Sequence, residues 1–283
     1  MLLRKPISNV TLFSGKDYDF RAQIMYYLAI NGESTTWDIS QFVSRDELRN
    51  EPSRKSMIVK RHSSGIYRNI KERMLPEKYV RQIGTKLSKG NNIPTYGLSF
   101  RGSLVVLSLD LKKDELKTIL EKNLDVNPFY KLILSLEKNG VRYDICDKIL
   151  LQGLINGIKD DLINIASNNE SIIGQSVIPA LAVHLSSIEK SDLRRFKVVL
   201  DKILDKKSPN KLIRIVNYFA GLMISPLFWN TWSKNENTQI ITLYHLVDST
   251  LNPKSYEENL IKDFDEFPKP EYDTRVDGLK IKV

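Results

Sequence analysis

The sequence predicts a mostly α protein: three helices and a β-hairpin at the N-terminus, followed by an all-α helical domain. Three observations carry this. Apolar residues recur at three- and four-residue steps over most of the chain. One stretch, residues 79–98, instead has strand character around a Gly-containing turn. The 283 residues suffice for about two domains of ordinary size. We place these at 1–110 and 111–267, with 268–283 as a flexible tail, since Pro268 and Pro270 sit there among few apolar residues. With 12 Tyr, 10 Phe and 3 Trp, the chain is too aromatic for extended disorder.

The elements follow in order. Asp17 and Asp19 open a first helix in which Phe20, Ile24, Tyr27, Leu28 and Ala29 keep roughly helical spacing. Asn31–Gly32 ends it, because Gly tolerates left-handed backbone. Thr35 or Thr36 caps a second helix through about Val43, with Trp37, Ile39 and Phe42 toward its buried face. Residues 44–62 are polar, highly charged and interrupted by Pro52, with room for a short extra helix. Ser63 and Ser64 are suitable N-caps for a third helix, Gly65–Leu75, where Ile66, Ile70 and Met74 repeat every four residues. Pro76 stops it. Tyr79, Val80 and Ile83 start a strand, Lys89-Gly90-Asn91-Asn92 turns, and Thr95, Tyr96 and Leu98 return. Ser99 caps an apolar helix, Phe100–Leu109. The remainder reads as helices at Lys112–Asn123, Pro128–Asn139, Asp144–Ile158, Ile178–Ile188, Ser191–Asp205, Pro209–Ile224, Gln239–Ser249 and Ser255–Phe264.

Charge is segregated. The chain as a whole is +9. Residues 45–101 hold 14 basic and 5 acidic side chains, which is also +9, while residues 111–283 hold 25 and 24. A basic excess confined to one window points to a polyanionic partner.

The run Gly65-Ile66-Tyr67-Arg68-Asn69-Ile70-Lys71-Glu72-Arg73-Met74-Leu75, then Tyr79-Val80, then Tyr96-Gly97-Leu98-Ser99-Phe100-Arg101-Gly102, resembles the winged helix-turn-helix domain of archaeal and other prokaryotic transcription regulators. The last segment is similar to that family's Tyr-x-Leu-Thr-x-x-Gly wing closure, with Ser99 in place of Thr. The resemblance covers about residues 17–110. It departs from the family at 44–62, which is longer than the usual turn between second and third helices. It implies that the 65–75 helix reads duplex DNA and that the hairpin is the wing.

The residues support the same expectation independently. With Ile66, Ile70 and Met74 facing the core, Ser64, Tyr67, Arg68 and Lys71 point outward. Ser63 and Ser64 at a helix N-terminus would offer hydroxyls and backbone N–H groups to a phosphate. Arg68 is suited to reading guanine O6 and N7 with its planar fork. Lys60, Arg61, Lys71, Lys86 and Lys89 suit phosphate contacts, and Asn91 would lie on the wing with the last two.

Other chemistries lack their residues. The single cysteine, Cys146, rules out an intrachain disulfide and sits among Ile145, Ile149 and Leu150 as a small core residue. His62, His184 and His245 are widely spaced, and neither a Gly-x-Gly-x-x-Gly nor a phosphate-loop lysine is present. Trp229, Trp232, Phe228 and Tyr218 could line a cavity or pack a core. The expected protein is therefore cytoplasmic, not an enzyme, without cofactor, metal or membrane span. It would bind double-stranded DNA as a transcription regulator, and a homodimer would let it read paired half-sites. The alternative is an interaction adaptor that docks an acidic protein partner through the same basic unit.

Overall fold

The computed structural model of the chain describes residues 11–13, 17–88, 90–204, 226–265, 272–273 and 280–281. Helix α1 (Tyr18–Asn31) buries Ile24, Met25 and Leu28 and ends at Gly32, whose φ of +74° demands glycine-like freedom. Asp17 occupies its N-cap without a side-chain hydrogen bond. Strand β1 (Ser34–Thr35) leads straight into α2 (Thr36–Val43). There Thr35 and Asp38 form a reciprocal capping box: the Thr35 hydroxyl accepts the Asp38 N–H, and the Asp38 carboxylate accepts the Thr35 N–H.

The highly charged stretch folds as helix α3 (Arg45–Asn50) and a 3-10 turn (Pro52–Arg54), and then enters α4 (Lys55–Asn69), which a π-turn at Ile70–Met74 prolongs. The third helix therefore begins at Lys55, ten residues before the expected Gly65. Pro52 initiates rather than interrupts, since its fixed φ suits a first turn. Ile58 and Val59 extend the apolar face of Ile66, Ile70 and Met74 backward by two turns, and all five are buried. Trp37, expected in the core, is 41% exposed; Ile39 takes the inward position on α2.

Strands β2 (Val80–Ser88) and β3 (Asn91–Leu98) form an antiparallel hairpin, and β1 joins the other edge of β3 in a three-stranded sheet ordered β1-β3-β2. A register shift at Ile83 makes a bulge. Helix α5 (Phe100–Val106) is capped by the Ser99 hydroxyl, which accepts the Gly102 N–H, and every residue of it is buried. The remaining helices are α6 (Lys113–Lys122), α7 (Pro128–Lys138), α8 (Tyr143–Cys146), α9 (Gln152–Lys159), α10 (Glu170–Ser187), α11 (Lys190–Leu204), α12 (Pro226–Lys234), α13 (Glu236–Leu251) and α14 (Pro253–Asp265). Helix α10 starts eight residues earlier than expected. Asn169 caps it, and Pro179 is tolerated inside it with its ring exposed. The expected helix at 209–224 lies outside the described residues. In the tail, β4 (Tyr272–Asp273) pairs antiparallel with β5 (Lys280–Ile281), a local ladder the sequence did not suggest.

The described residues are thus mostly helical, with a small three-stranded antiparallel sheet and the short β4–β5 ladder. Among the described residues a contiguous apolar core runs across residue 110, from Leu12 to Val247. Polar ties cross the same boundary. Asn123 Nδ2 donates to the Ala29 carbonyl at 2.8 Å, and the Tyr130 hydroxyl donates to the Ser103 carbonyl at 2.6 Å. Trp229 and Trp232 stack 5.4 Å apart and pack on Phe129, so they belong to this core. Tyr218 and the Phe228 side chain lie outside the described residues. No described helix is long and apolar enough to cross a membrane.

Candidate nucleic-acid interface

Helix α4 and its π-turn run for twenty residues, so they reach about 30 Å. Burial divides them cleanly. Ile58, Val59, Ile66, Ile70 and Met74 face inward, which leaves Lys60, Ser64, Tyr67, Arg68 and Lys71 on the solvent side at helical spacing. Lys60 to Lys71 covers about 16 Å along the axis. Tyr67 is 47% exposed, and the Lys71 ammonium lies 5.9 Å from its ring. Burial first, and then the Tyr67 phenol, push the Tyr96 hydroxyl pKa up.

Several expected contacts take other roles. Ser63 and Ser64 lie inside the helix rather than at its start, so their backbone N–H groups are not free for phosphate. The Ser63 hydroxyl donates to Thr36 Oγ1 at 3.2 Å, and that of Ser64 donates to the Lys60 carbonyl at 3.2 Å. Ser63 thereby fastens α4 to α2. Arg61 is exposed, but its guanidinium grips both carboxylate oxygens of Glu47. His62 Nε2 contacts the same carboxylate at 3.0 Å. These two partners, His62 first, hold the Glu47 carboxyl below its usual pKa. On the hairpin, Lys86 and Asn91 are exposed, and Lys89 lies outside the described residues.

Ion pairing sorts the basic window. Arg49 pairs with Asp46, Arg54 with Glu51, Arg61 with Glu47 and Arg73 with Glu77. Arg45 lies over the Phe42 ring at 4.1 Å. Arg101 is only 3% exposed and serves as an internal tie. Lys55, Lys60, Arg68, Lys71, Lys78, Arg81 and Lys86 are exposed, and no described carboxylate lies within ion-pair distance of them. Lys55, Lys78 and Arg81 were not singled out from sequence. Lys55 sat in a segment read as a connection; Lys78 precedes and Arg81 lies within a strand whose start was read for its apolar residues alone.

Among the described residues no three His, Cys, Asp or Glu side chains gather as a metal site. Cys146 is fully buried, and desolvation pushes its thiol up to about 12. No protein-family model, curated protein or solved structure matches the chain.

Proposed function

We propose that the chain is a double-stranded-DNA-binding protein, a transcription regulator of the winged helix-turn-helix type. In this reading α4 lies in the major groove and the β2–β3 hairpin is the wing. The observation that carries it is the outward stripe of α4: Lys60, Arg68 and Lys71 stand on one face without described carboxylate partners, while neighbouring arginines are neutralised. Support also comes from element order. Helix α4, the β2–β3 hairpin and the Ser99-capped helix α5 follow one another along the Gly65–Gly102 run, the order such a domain uses for its third helix, wing and closing helix. Arg68 reads bases; Lys55, Lys60, Lys71 and Lys86 hold phosphates and fix register.

Fluorescence anisotropy with random-sequence duplex at several salt concentrations tests this. Each phosphate neutralised contributes about −0.9 to the log–log salt slope. Replacing Lys60, Arg68 and Lys71 together by Ala should reduce the slope's magnitude by about 1.8, for the two phosphate-holding lysines, and weaken binding at low salt. A triple variant with parental affinity and slope refutes the assignment. The adaptor reading is favoured by one observation, the exposure of Trp37 and Met57 at 41% and 60%. It would show as absence of duplex binding together with nuclease-resistant co-purification of an acidic protein.

A further inference from the structure

We infer that Leu87 is an apolar wedge that enters the minor groove of bound duplex DNA, unstacks a base step and bends the duplex. The inference rests on the DNA-binding reading above and adds a deformation step to it.

Leu87 is 72% exposed, more than any other large apolar side chain among the described residues. The hairpin that carries it stands clear of the body: from Arg81 to Ser88 every residue of β2 is exposed except half-buried Gly84. An apolar side chain in such a place invites edge-to-edge association, and the neighbouring positions avoid it with Lys86, Ser88, Asn91 and Asn92. Its orientation is set by the bulge. After the shift at Ile83, Thr85 pairs with Pro94 and Leu87 with Asn92. Alternation along β3 puts Asn92 and Pro94 on the face that sends Tyr96 and Leu98 into the core. Leu87 is therefore on the sheet face that, nearer the root of the hairpin, packs into the core. Without the bulge, two-residue alternation would turn Leu87 to the opposite face.

Charge selects the occupant. Lys86 adjoins Leu87 on β2, and Arg81 lies on the same strand, both without described carboxylate partners, so the hairpin suits a polyanion better than an apolar protein groove. A minor groove about 6 Å wide must open to admit a hairpin tip. Leucine inserted between base steps opens it by kinking the duplex toward the major groove. Asn92, across from Leu87, brings an amide able to meet the groove's acceptors.

The test uses the full chain and a duplex of about 30 base pairs, labelled at both ends for energy transfer. It carries 2-aminopurine beside a central TA step, the kind most easily unstacked. Binding should raise both energy transfer and 2-aminopurine emission. Leu87→Ala should bind about tenfold more weakly, keep the parental salt slope and lose both signals. Leu87→Met, which keeps a flexible apolar wedge, should retain them. Parental binding without either signal overturns the wedge, as does Leu87→Ala with undiminished signals. Failure of the parental chain to bind duplex at any salt overturns the DNA-binding reading, and the wedge falls with it.

Discussion

Arg101 offers the sharpest separation of structural from binding charge. It belongs to the basic window by sequence, yet it sits in the first turn of α5 at 3% exposure. Its Nε donates to the Ile165 carbonyl at 2.7 Å and Nη2 to the Ala166 carbonyl at 3.1 Å. Nη1 donates to the Glu77 carbonyl and to Asn168 Oδ1, and the guanidinium lies 4.0 Å from the Tyr79 ring centre. Burial holds its pKa below the usual arginine value, with Tyr79 and Glu77 opposing. Arg101→Met keeps most of the stem and removes the fork. A hydrogen bond to a charged group contributes about 1.5–3 kcal/mol, and part of the loss is recovered by hydration of carbonyls near the surface. The departing charge also takes its desolvation cost with it. The net expectation is a loss of about 3–4 kcal/mol, or a Tm lower by about 5–7 °C for a chain of this size. Thermal circular dichroism or calorimetry at neutral pH measures it. Asn168→Ala, which removes one acceptor, should cost only about 1 kcal/mol. Duplex affinity measured where both proteins are folded should not change. A Tm drop under about 2 °C, or a reduced salt slope at parental stability, would refute the placement.

The other predictions concern fit, pH and reactivity. A Cβ at Gly102 would stand 1.9 Å from the Tyr79 carbonyl oxygen, which is backbone and cannot step aside. Gly102→Ala should therefore cost about 2–3 kcal/mol in thermal unfolding, and parental stability would contradict the geometry. Glu47 has a folded pKa depressed by His62 and Arg61, so its contribution is present above the usual carboxyl value of 4.5 and fades as pH falls through the folded pKa. Glu47→Gln should flatten the acid side of a Tm-versus-pH profile below about 4.5; superimposable profiles would dismiss the contact. The Cys146 thiol, held near 12 by burial, should resist a disulfide reagent at pH 8 in the native protein and react fully in denaturant. Rapid native labelling would count against its burial.

Most of the fold was legible because short-range rules agreed with packing. Thr35, Gly32, Ser99 and Pro128 were read as punctuation, and each stands at a helix end. The readings that failed lacked a local signal or had a misleading one. Pro52 reads as a breaker unless the following Ile58 and Val59 are recognised as continuing the apolar face of Ile66 and Ile70. Once they are, Ser63 and Ser64 become interior residues and lose their supposed phosphate site. Strand β1 is only two residues long and exists through its partner β3, so no pattern of its own announces it. Trp37 looked buried because large aromatics usually are, but the inward position of that short helix already belonged to Ile39. Gly102 was noted as part of a motif; the Tyr79 carbonyl supplies the physical reason that the position takes no side chain.

The basic window shows why a count of charges predicts a partner class but not a mode of recognition. Asp46, Glu47, Glu51 and Glu77 each take an arginine, Arg45 covers Phe42, and Arg101 is buried. The exposed remainder with no described carboxylate partner is chiefly lysine: Lys55, Lys60, Lys71, Lys78 and Lys86, with Arg68 and Arg81. Lysine is a point charge suited to phosphate, whereas the bidentate fork that distinguishes guanine belongs to arginine. Folding has thus spent most of the window's arginines on intramolecular contacts and left a surface richer in lysine point charges than in arginine forks. On the DNA-binding reading, direct base readout falls mainly to Arg68, and further discrimination must come from how readily a sequence bends. A protruding Leu87 beside Lys86 is suited to sensing that property, because the cost of opening a base step depends on the step being opened.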